Sequence, residues 1–144
     1  MTLEQFGAYC EAHPEVDRAL DAYQAELLKG HTILLEGRLS GYLAFRDKAP
    51  AYKVWFTCDA YVRGNRLVER EGGDLESRMA EMRRREESER KRYLAYYGYD
   101  INDLSVYDLV LDTSELTKDE VVKAVVHGYR DFLKPRKWWR LGQR

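Results

Sequence analysis

The sequence lacks long apolar runs, has few cysteines and carries almost no net charge. No apolar run approaches the roughly 18 residues of a membrane span, and the start, Met-Thr-Leu-Glu-Gln, lacks the pattern of a signal peptide. The two cysteines, Cys10 and Cys58, have no metal-binding spacing, and a reducing compartment would keep them as thiols. The 24 basic and 25 acidic side chains nearly cancel, so nothing attracts nucleic acid globally. We therefore expect a cytoplasmic protein without a metal site that binds neither DNA, RNA nor membranes.

What is present suffices for one folded domain. With 144 residues, 44% of them hydrophobic and 12% aromatic, the chain can bury a core of its own. We expect a single domain over 1–134 and a basic tail over 135–144 that carries Trp138 and Trp139. Paired tryptophans among cations suit a membrane interface or single-stranded nucleic acid. A frayed terminus, or a tryptophan packed on the last helix, is the simpler interpretation.

Apolar periodicity predicts helices that alternate with strands. The chain opens with a helix capped by Thr2 and a second helix from Pro14 to Gly30. The second helix has apolar residues at helical spacing, which predict its buried face: Val16, Leu20, Tyr23 and Leu27. Strands are expected over 31–35, 52–57 and 106–111, the first two buried on both faces. Later helices are expected over 60–71, 74–97 and 116–133. This alternation predicts an α/β fold with parallel strands.

The helix over 74–97 carries the most informative side chains. Arg85, Glu89 and Arg92 are spaced by four and then three residues, which places them on one helix face. Two guanidiniums beside a carboxylate suit a nucleotide, because Arg binds phosphate oxygens in pairs and a carboxylate accepts from ribose hydroxyls or base amino groups. A solvated helix stabilised by i,i+4 ion pairs is the alternative.

Two other groups of residues could face the same crevice. Glu36-Gly37-Arg38 follows the first predicted strand, and open α/β sheets bind ligands beyond the carboxyl ends of their strands. Arg63, Arg66 and Arg70 recur at spacings of three and four just before Gly72-Gly73, which we interpret as a hinge. A mobile flap rich in arginine would exclude water and neutralise charge on phosphates. Ion pairing on a surface helix is the alternative.

Five motifs stand in order along the chain. They are Glu36-Gly37-Arg38-Leu39-Ser40-Gly41, Arg63-x-x-Arg66-x-x-x-Arg70-Glu71-Gly72, Arg85-Glu86-x-Ser88-Glu89-x-x-Arg92-Tyr93, Tyr97-Gly98-x-Asp100-Ile101-x-Asp103-Leu104-Ser105-x-Tyr107-Asp108 and Asp112-Thr113-Ser114. Together they resemble the archaeal-type cytidylate kinases, P-loop nucleoside monophosphate kinases that pass a phosphoryl group from ATP to CMP or dCMP. The resemblance runs in register from about residue 2 to residue 126. It implies a partial three-layer α/β/α fold without the family's first two strands, with a helical lid over about 63–97.

The resemblance implies roles for matching positions. The acceptor nucleotide would be bound by Gly37, Arg38, Arg85, Glu89 and Arg92. Within that set, Arg38 would hold the phosphate and Glu89 the sugar hydroxyls. The catalytic lid residues that close on the triphosphate would be Arg66 and Arg70, and the ATP base would lie near Asp112 and Thr113. Leu39 stands where bacterial members carry an Asp that contacts cytosine, so the choice among CMP, dCMP and UMP stays open.

One element of the family is missing from the sequence. None of the ten glycines is followed by Lys-Ser or Lys-Thr, so no Gly-x-x-x-x-Gly-Lys-Ser/Thr loop occurs. That loop cradles the β-phosphate and supplies a hydroxyl for Mg²⁺. The complete enzyme is expected to use ATP and Mg²⁺, while this chain alone is expected to bind neither tightly and to be inactive.

Two interpretations of this departure stay open. In the first, the chain is a fragment, and a missing N-terminal segment or a dimer partner covers its open sheet edge. In the second, it is a non-catalytic interaction module that docks a protein partner through that edge or through the basic tail.

Overall fold

The computed structural model describes residues 3–30 and 32–134. Thr2, His31 and the tail over 135–144, on which three of the expectations fall, lie outside the described residues. Helices α1 (Leu3–Ala12), α2 (Pro14–Leu27) and α3 (Ser40–Arg46) precede strand β1 (Val54–Thr57). Helices α4 (Ala60–Glu71) and α5 (Leu75–Tyr97) then lead through a 3-10 turn (Leu104–Val106) to strand β2 (Leu109–Asp112). Helix α6 (Lys118–Phe132) follows.

The two strands form a small parallel sheet. Val54 pairs with Leu109 and Thr57 with Asp112, four residue pairs in all. The chain runs from β1 to β2 through α4 and α5, as a parallel connection requires. The predicted α/β fold with parallel strands is therefore confirmed for the described residues.

Two strand predictions were wrong in position. Residues 32–36 form no strand, and Leu34 there is 94% exposed. A strand exists only where a second strand satisfies its backbone groups, and within the described chain none lies beside this segment. The third strand begins at Leu109 rather than at Val106, because Val106 lies in the 3-10 turn and packs into the core.

The predicted buried surfaces of α2 and β1 were also wrong. Leu20 and Tyr23 on α2 are exposed, whereas Asp17 and Asp21 are buried. Polar partners on α5 explain this inversion, since each carboxylate accepts a hydrogen bond from an α5 side chain. In β1, Phe56 is 52% exposed, so the strand is not covered on both faces.

Local capping sets the ends of the later helices. Asp59 accepts from the backbone N of Tyr61 and Val62 at the start of α4, and Asp74 accepts from the backbone N of Ser77 at the start of α5. Gly98 closes α5 in the left-handed conformation, with φ 64°. Helix α6 opens with a capping box, in which Thr117 accepts from the backbone N of Glu120 and the Glu120 side chain accepts from the backbone N of Thr117. These signals are local, so the sequence located α4, α5 and α6 within two residues.

The core lies between α3, the C-terminal half of α5 and the 3-10 turn. Its buried side chains are Leu39, Leu43, Tyr93, Tyr99, Ile101 and Val106. Helix α3, which the sequence analysis missed, enters the core because Leu39 and Leu43 lie one turn apart. Tyr97 donates to Asp21 of α2 and Tyr99 donates to the carbonyl oxygen of Asp103, which anchors the end of α5.

Helix α6 is less embedded than the rest of the described chain. None of its residues is buried, and its aromatic contacts run to Tyr52, whose ring centroid lies 6.0 Å from Tyr129 and 5.3 Å from Phe132. Val122 and Leu133 are about three-fifths exposed. None of the helices among the described residues has both the length and the apolar character that crossing a bilayer requires.

Candidate functional site

Glu89, on the inner face of α5, holds two arginines. Arg38 Nε donates to one carboxylate oxygen at 2.7 Å, and Arg85 Nε donates to the other at 2.8 Å. The Glu89 side chain is only 8% exposed, whereas those of Arg38 and Arg85 are 35% and 54% exposed. A buried carboxylate thus orients two guanidiniums that still reach solvent. The group carries a net positive charge and can receive an anion.

Arg38 has a second contact, with an aromatic side chain of β1. Its guanidinium carbon lies 5.5 Å from the ring centroid of Trp55, a cation–π distance. The Trp55 ring lies 5.1 Å from the ring of Tyr107, which contacts the core. The predicted phosphate ligand is therefore fixed from two sides, by charge and by a ring. Gly37, just before it, uses its carbonyl oxygen to accept from Ser40 Oγ at the start of α3.

A cavity of about 380 Å³ opens beside Arg38. It lies at the carboxyl end of β1, between α4 and α5, where Thr57 and Cys58 line it. Its charged and polar lining residues include Arg38, Arg63, Glu86, Arg90 and Asn102, and Trp55 provides an aromatic wall. This volume lies within the range of small-molecule sites.

Sequence reasoning missed four of these residues as members of the site. Trp55 was treated as part of a buried strand, and Glu86, Arg90 and Asn102 were not singled out. Arg63 was expected to face the crevice together with Arg66 and Arg70, and it alone of the three lines the cavity. Spacing could not separate Arg63 from Arg66, because residues three apart lie on the same face of a helix. The bond from Arg66 to the Thr113 carbonyl, a long-range contact, separates them.

Arg92 points to a different neighbour. Its Nε donates to Asp17 Oδ2 at 2.7 Å, and its Nη1 donates to Ser88 Oγ at 2.6 Å. Both Arg92 and Asp17 are about one-tenth exposed, so the pair is an interior tie between α5 and α2. Arg92 does not line the cavity, and its predicted contact with the acceptor nucleotide stays a prediction.

A second buried carboxylate of α2 lies one turn beyond Asp17. Tyr97 donates from its hydroxyl to Asp21 Oδ2 at 2.7 Å. Burial raises the pKa of Asp21, although the hydrogen bond from Tyr97 partly offsets this. Burial, together with the bond to Asp21, raises the pKa of the Tyr97 phenol. These bonds dock α5 on α2 and so set the position of Glu89.

The two predicted lid arginines, Arg66 and Arg70, contact the turn after β2 and the end of α4, respectively. Arg66 Nη2 donates to the carbonyl oxygen of Thr113 at 2.8 Å, which ties α4 to the end of β2. Arg70 lies at the exposed end of α4 and pairs with its neighbour Glu71. Neither arginine lines the cavity. Their predicted role toward a triphosphate stays a prediction.

Asp112 and Thr113 form the turn that follows β2. Asp112 accepts from the hydroxyl and the backbone N of Ser114, and these bonds lower the pKa of Asp112. Thr113 Oγ1 donates to the carbonyl oxygen of Thr57 at 2.9 Å. A small cavity of about 300 Å³ beside this turn is lined by Asp112, Ser114, Glu115 and Leu116. The structure thus places both predicted ATP-base residues at the carboxyl end of the sheet.

The residues present do not fit a magnesium–triphosphate site by themselves. The sequence has no phosphate-binding loop. The described residues form no group of three or more His, Cys, Asp or Glu side chains suited to a metal ion. We therefore derive no reaction step through ATP or Mg²⁺ from this chain.

Guanidiniums gathered at the carboxyl end of a parallel sheet are typical of α/β proteins that bind phosphorylated ligands. The model of the cytidylate kinase-like family matches residues 1–115. The chain belongs to this family.

Several curated relatives match most of the chain. It is 44% identical over 135 residues to the cytidylate kinase of Pyrococcus furiosus, which covers 94% of this chain and 68% of that protein. It is 43% identical over 129 residues to the cytidylate kinase of Pyrococcus abyssi, covering 88% and 70%. It is 38% identical over 126 residues to that of Methanocaldococcus jannaschii, covering 87% and 71%. No solved structure matches the chain.

Proposed function

We propose that this chain carries the acceptor-nucleotide part of a cytidylate kinase and binds CMP or dCMP in the crevice around Arg38. The observation that carries the proposal is the bridge formed by Glu89 between Arg38 and Arg85, beside a cavity of about 380 Å³. Membership of the cytidylate kinase-like family supports the same function.

The charges of the bridge favour a phosphate. Arg38 and Arg85 carry two positive charges against the single negative charge of Glu89, and both guanidiniums are partly exposed. Arg binds phosphate oxygens through paired N–H groups, which fix orientation as well as charge. Trp55 lies on the same cavity wall and offers an apolar surface to a base or a sugar. Trp55 thus adds an apolar partner for the base or the sugar to the arginines that are proposed to bind the phosphate.

Phosphoryl transfer depends on positioning and charge stabilisation more than on covalent chemistry by the protein. On this proposal, Arg38 and Arg85 bind the acceptor phosphate and fix its orientation. Arg66, Arg70, Asp112 and Thr113 are the proposed donor-side residues. Arg66 would have to leave the Thr113 carbonyl, and Arg70 would have to leave Glu71, to reach a triphosphate.

Binding of nucleoside monophosphates tests the proposal. Titration calorimetry of the chain with CMP, dCMP, UMP and AMP is expected to show binding of the cytosine nucleotides and weaker binding of AMP. Arg38→Gln is expected to weaken CMP binding at least about tenfold, since it removes one charge-assisted contact. Arg130→Gln, an exposed arginine of α6, is the matched control. Equal binding of CMP and AMP, or binding of neither, would overturn the proposal.

Turnover tests a separate part of it. Because the sequence has no Gly-x-x-x-x-Gly-Lys-Ser/Thr loop, we propose that the chain alone does not catalyse transfer from ATP to CMP. A coupled assay for ADP, with ATP, Mg²⁺ and CMP, is expected to show no rate above that of the Arg38→Gln variant. Turnover by the wild-type chain alone would refute this part and leave the acceptor-binding proposal standing.

A second candidate function is docking of a protein partner, namely a second copy of this chain. It is favoured by the apolar side of α6, on which Val122, Tyr129 and Leu133 are exposed, because apolar patches of this kind mark interaction surfaces. Sedimentation of the wild type and of Val122→Ser/Leu133→Ser separates the two functions. Self-association lost in the double variant, without CMP binding in the wild type, would favour docking over nucleotide binding.

A further inference from the structure

A third arginine faces the cavity, and it comes from a different helix. Arg63, in the first turn of α4, lines the cavity together with Arg38. Its Nη2 forms an ion pair at 2.5 Å with Glu86 of α5, which also lines the cavity. The pair therefore spans the gap between α4 and α5, at the place where the cavity opens.

One N–H group of Arg63 is left without an acceptor. Its Nε is buried and has no hydrogen-bond partner among the described residues. A buried donor without a partner costs free energy that an incoming oxygen would recover. The Arg63 side chain is about one-third exposed and lines the cavity, so a ligand oxygen can reach its guanidinium there, and Nε gains that acceptor when the guanidinium turns toward the ligand.

The neighbouring arginines of α4 are directed elsewhere. Arg66 donates to the Thr113 carbonyl and Arg70 pairs with Glu71. Among these three arginines of α4, Arg63 alone lines the cavity. The three arginines share a face of α4 but have different partners along its length.

We propose that Arg63 is a further substrate-contacting residue, which donates hydrogen bonds to the phosphate of the acceptor nucleotide across the cavity from Arg38. Glu86 is its positioning residue, because the ion pair through Nη2 holds the guanidinium at the cavity and leaves Nε without an acceptor. The inference rests on the proposed function. It implies that one phosphate is held from α4 as well as from the segment before α3.

Calorimetric titration with CMP and with cytidine tests this inference, since the two ligands differ only in the phosphate. Arg63→Gln is expected to weaken CMP binding about tenfold, the loss of one charge-assisted contact, and to leave cytidine binding unchanged. Glu86→Gln is expected to weaken CMP binding less, because the guanidinium keeps its charge and loses only its orientation. Arg130→Gln, with the same change of charge on α6, is expected to alter neither titration.

The outcomes separate this inference from the proposed function. If the wild type binds no CMP, or if Arg38→Gln binds CMP as the wild type does, the proposed function fails. If Arg38→Gln weakens CMP binding but Arg63→Gln behaves as Arg130→Gln does, Arg63 alone is excluded. Equal weakening of CMP and cytidine by Arg63→Gln would likewise refute a phosphate contact.

Arg63 also links two helices, so Arg63→Gln requires a check of folding by circular dichroism. If that variant does not fold, Arg63→Lys decides the matter, because it keeps the charge near Glu86 but has no Nε–H donor in a planar fork. Severalfold weaker CMP binding with unchanged cytidine binding supports the inference. Unchanged CMP binding overturns it.

Discussion

Glu89 accepts a hydrogen bond from Arg38 with one carboxylate oxygen and from Arg85 with the other. The two arginines lie 47 positions apart in the sequence and come from different elements, so this single side chain joins the loop before α3 to the middle of α5. A nucleotide hydroxyl at Glu89 would share an oxygen that already has a partner. We infer that the main role of Glu89 is to orient the two arginines, and that contact with a substrate is its lesser role.

Glu89→Gln is expected to lower the free energy of unfolding by about 1–3 kcal/mol, because the amide replaces one of the two acceptor oxygens with an N–H₂ donor that then faces a guanidinium. Urea unfolding followed by circular dichroism measures this change. Glu81→Gln, which removes an exposed carboxylate paired with Arg78, is the control and should cost no more than about 0.5 kcal/mol. Equal effects of the two substitutions would contradict the bridging role.

Arg92→Met is expected to destabilise the fold by about 3–5 kcal/mol, since it leaves the Asp17 carboxylate buried without its partner. Asp17→Leu combined with Arg92→Met should recover most of that loss, because an apolar pair carries no uncompensated charge. Denaturant midpoints of the single and double variants measure both effects. A double variant no more stable than Arg92→Met would argue against a buried ion pair.

Asp21→Asn is expected to stabilise the protein at neutral pH. Burial raises the pKa of Asp21 above its ordinary value of 3.8, so the folded state binds the proton more tightly than the unfolded state does. That contribution to stability is fully present below about pH 3.8 and is lost as the pH rises through the folded-state pKa. Asn removes the cost of burying the charge and can still accept from Tyr97.

Urea unfolding of wild type and Asp21→Asn, at neutral pH and in mild acid, measures this dependence. The stabilising effect should shrink as the pH falls. Glu69→Gln, at an exposed carboxylate of α4, is expected to show no such trend. A gain for Asp21→Asn that is the same at both pH values would contradict the burial argument.

Gly41→Ala tests the support behind Arg38. A Cβ at this position would lie 2.2 Å from Cε1 of Tyr107, whose ring backs Trp55. Overpacking of this kind typically costs about 1–3 kcal/mol, which outweighs a gain of about 1 kcal/mol from helix propensity. Gly7→Ala in α1 meets only ordinary contacts near 3.8 Å and should stabilise slightly. Thermal unfolding of both variants tests this difference: Gly41→Ala should lower the Tm because of the clash, and Gly7→Ala should raise it slightly through helix propensity.

The sequence predicted those features of the fold that depend on nearby residues. Asp74 and Gly98 bound α5, and the Thr117–Glu120 box opens α6, close to where their patterns indicate. The segment over 32–36 has strand-forming residues but pairs with no strand in the described chain. Pairing is a long-range property, so β-branched residues alone could not decide it.

The candidate site shows the same division between local and distant information. Helical spacing correctly placed Arg85 beside Glu89, because both lie on one helix. It could not show that Arg92 meets Asp17, since that depends on how α2 packs against α5. The buried carboxylates of α2, Asp17 and Asp21, were missed for the same reason. The apolar spacing predicts that Leu20 faces inward, but Leu20 is exposed. The two carboxylates are buried because they accept hydrogen bonds from side chains of α5.

The Glu89 carboxylate between Arg38 and Arg85 also bears on which anions these two arginines could bind. An anion that enters the crevice must compete with the Glu89 carboxylate, which already accepts hydrogen bonds from both arginines. A dianion such as a phosphate monoester has the charge density to share them, whereas chloride or a simple carboxylate offers no advantage over the resident group. On the proposed function, this competition would disfavour chloride and simple carboxylates before the base or the sugar of the nucleotide makes a contact.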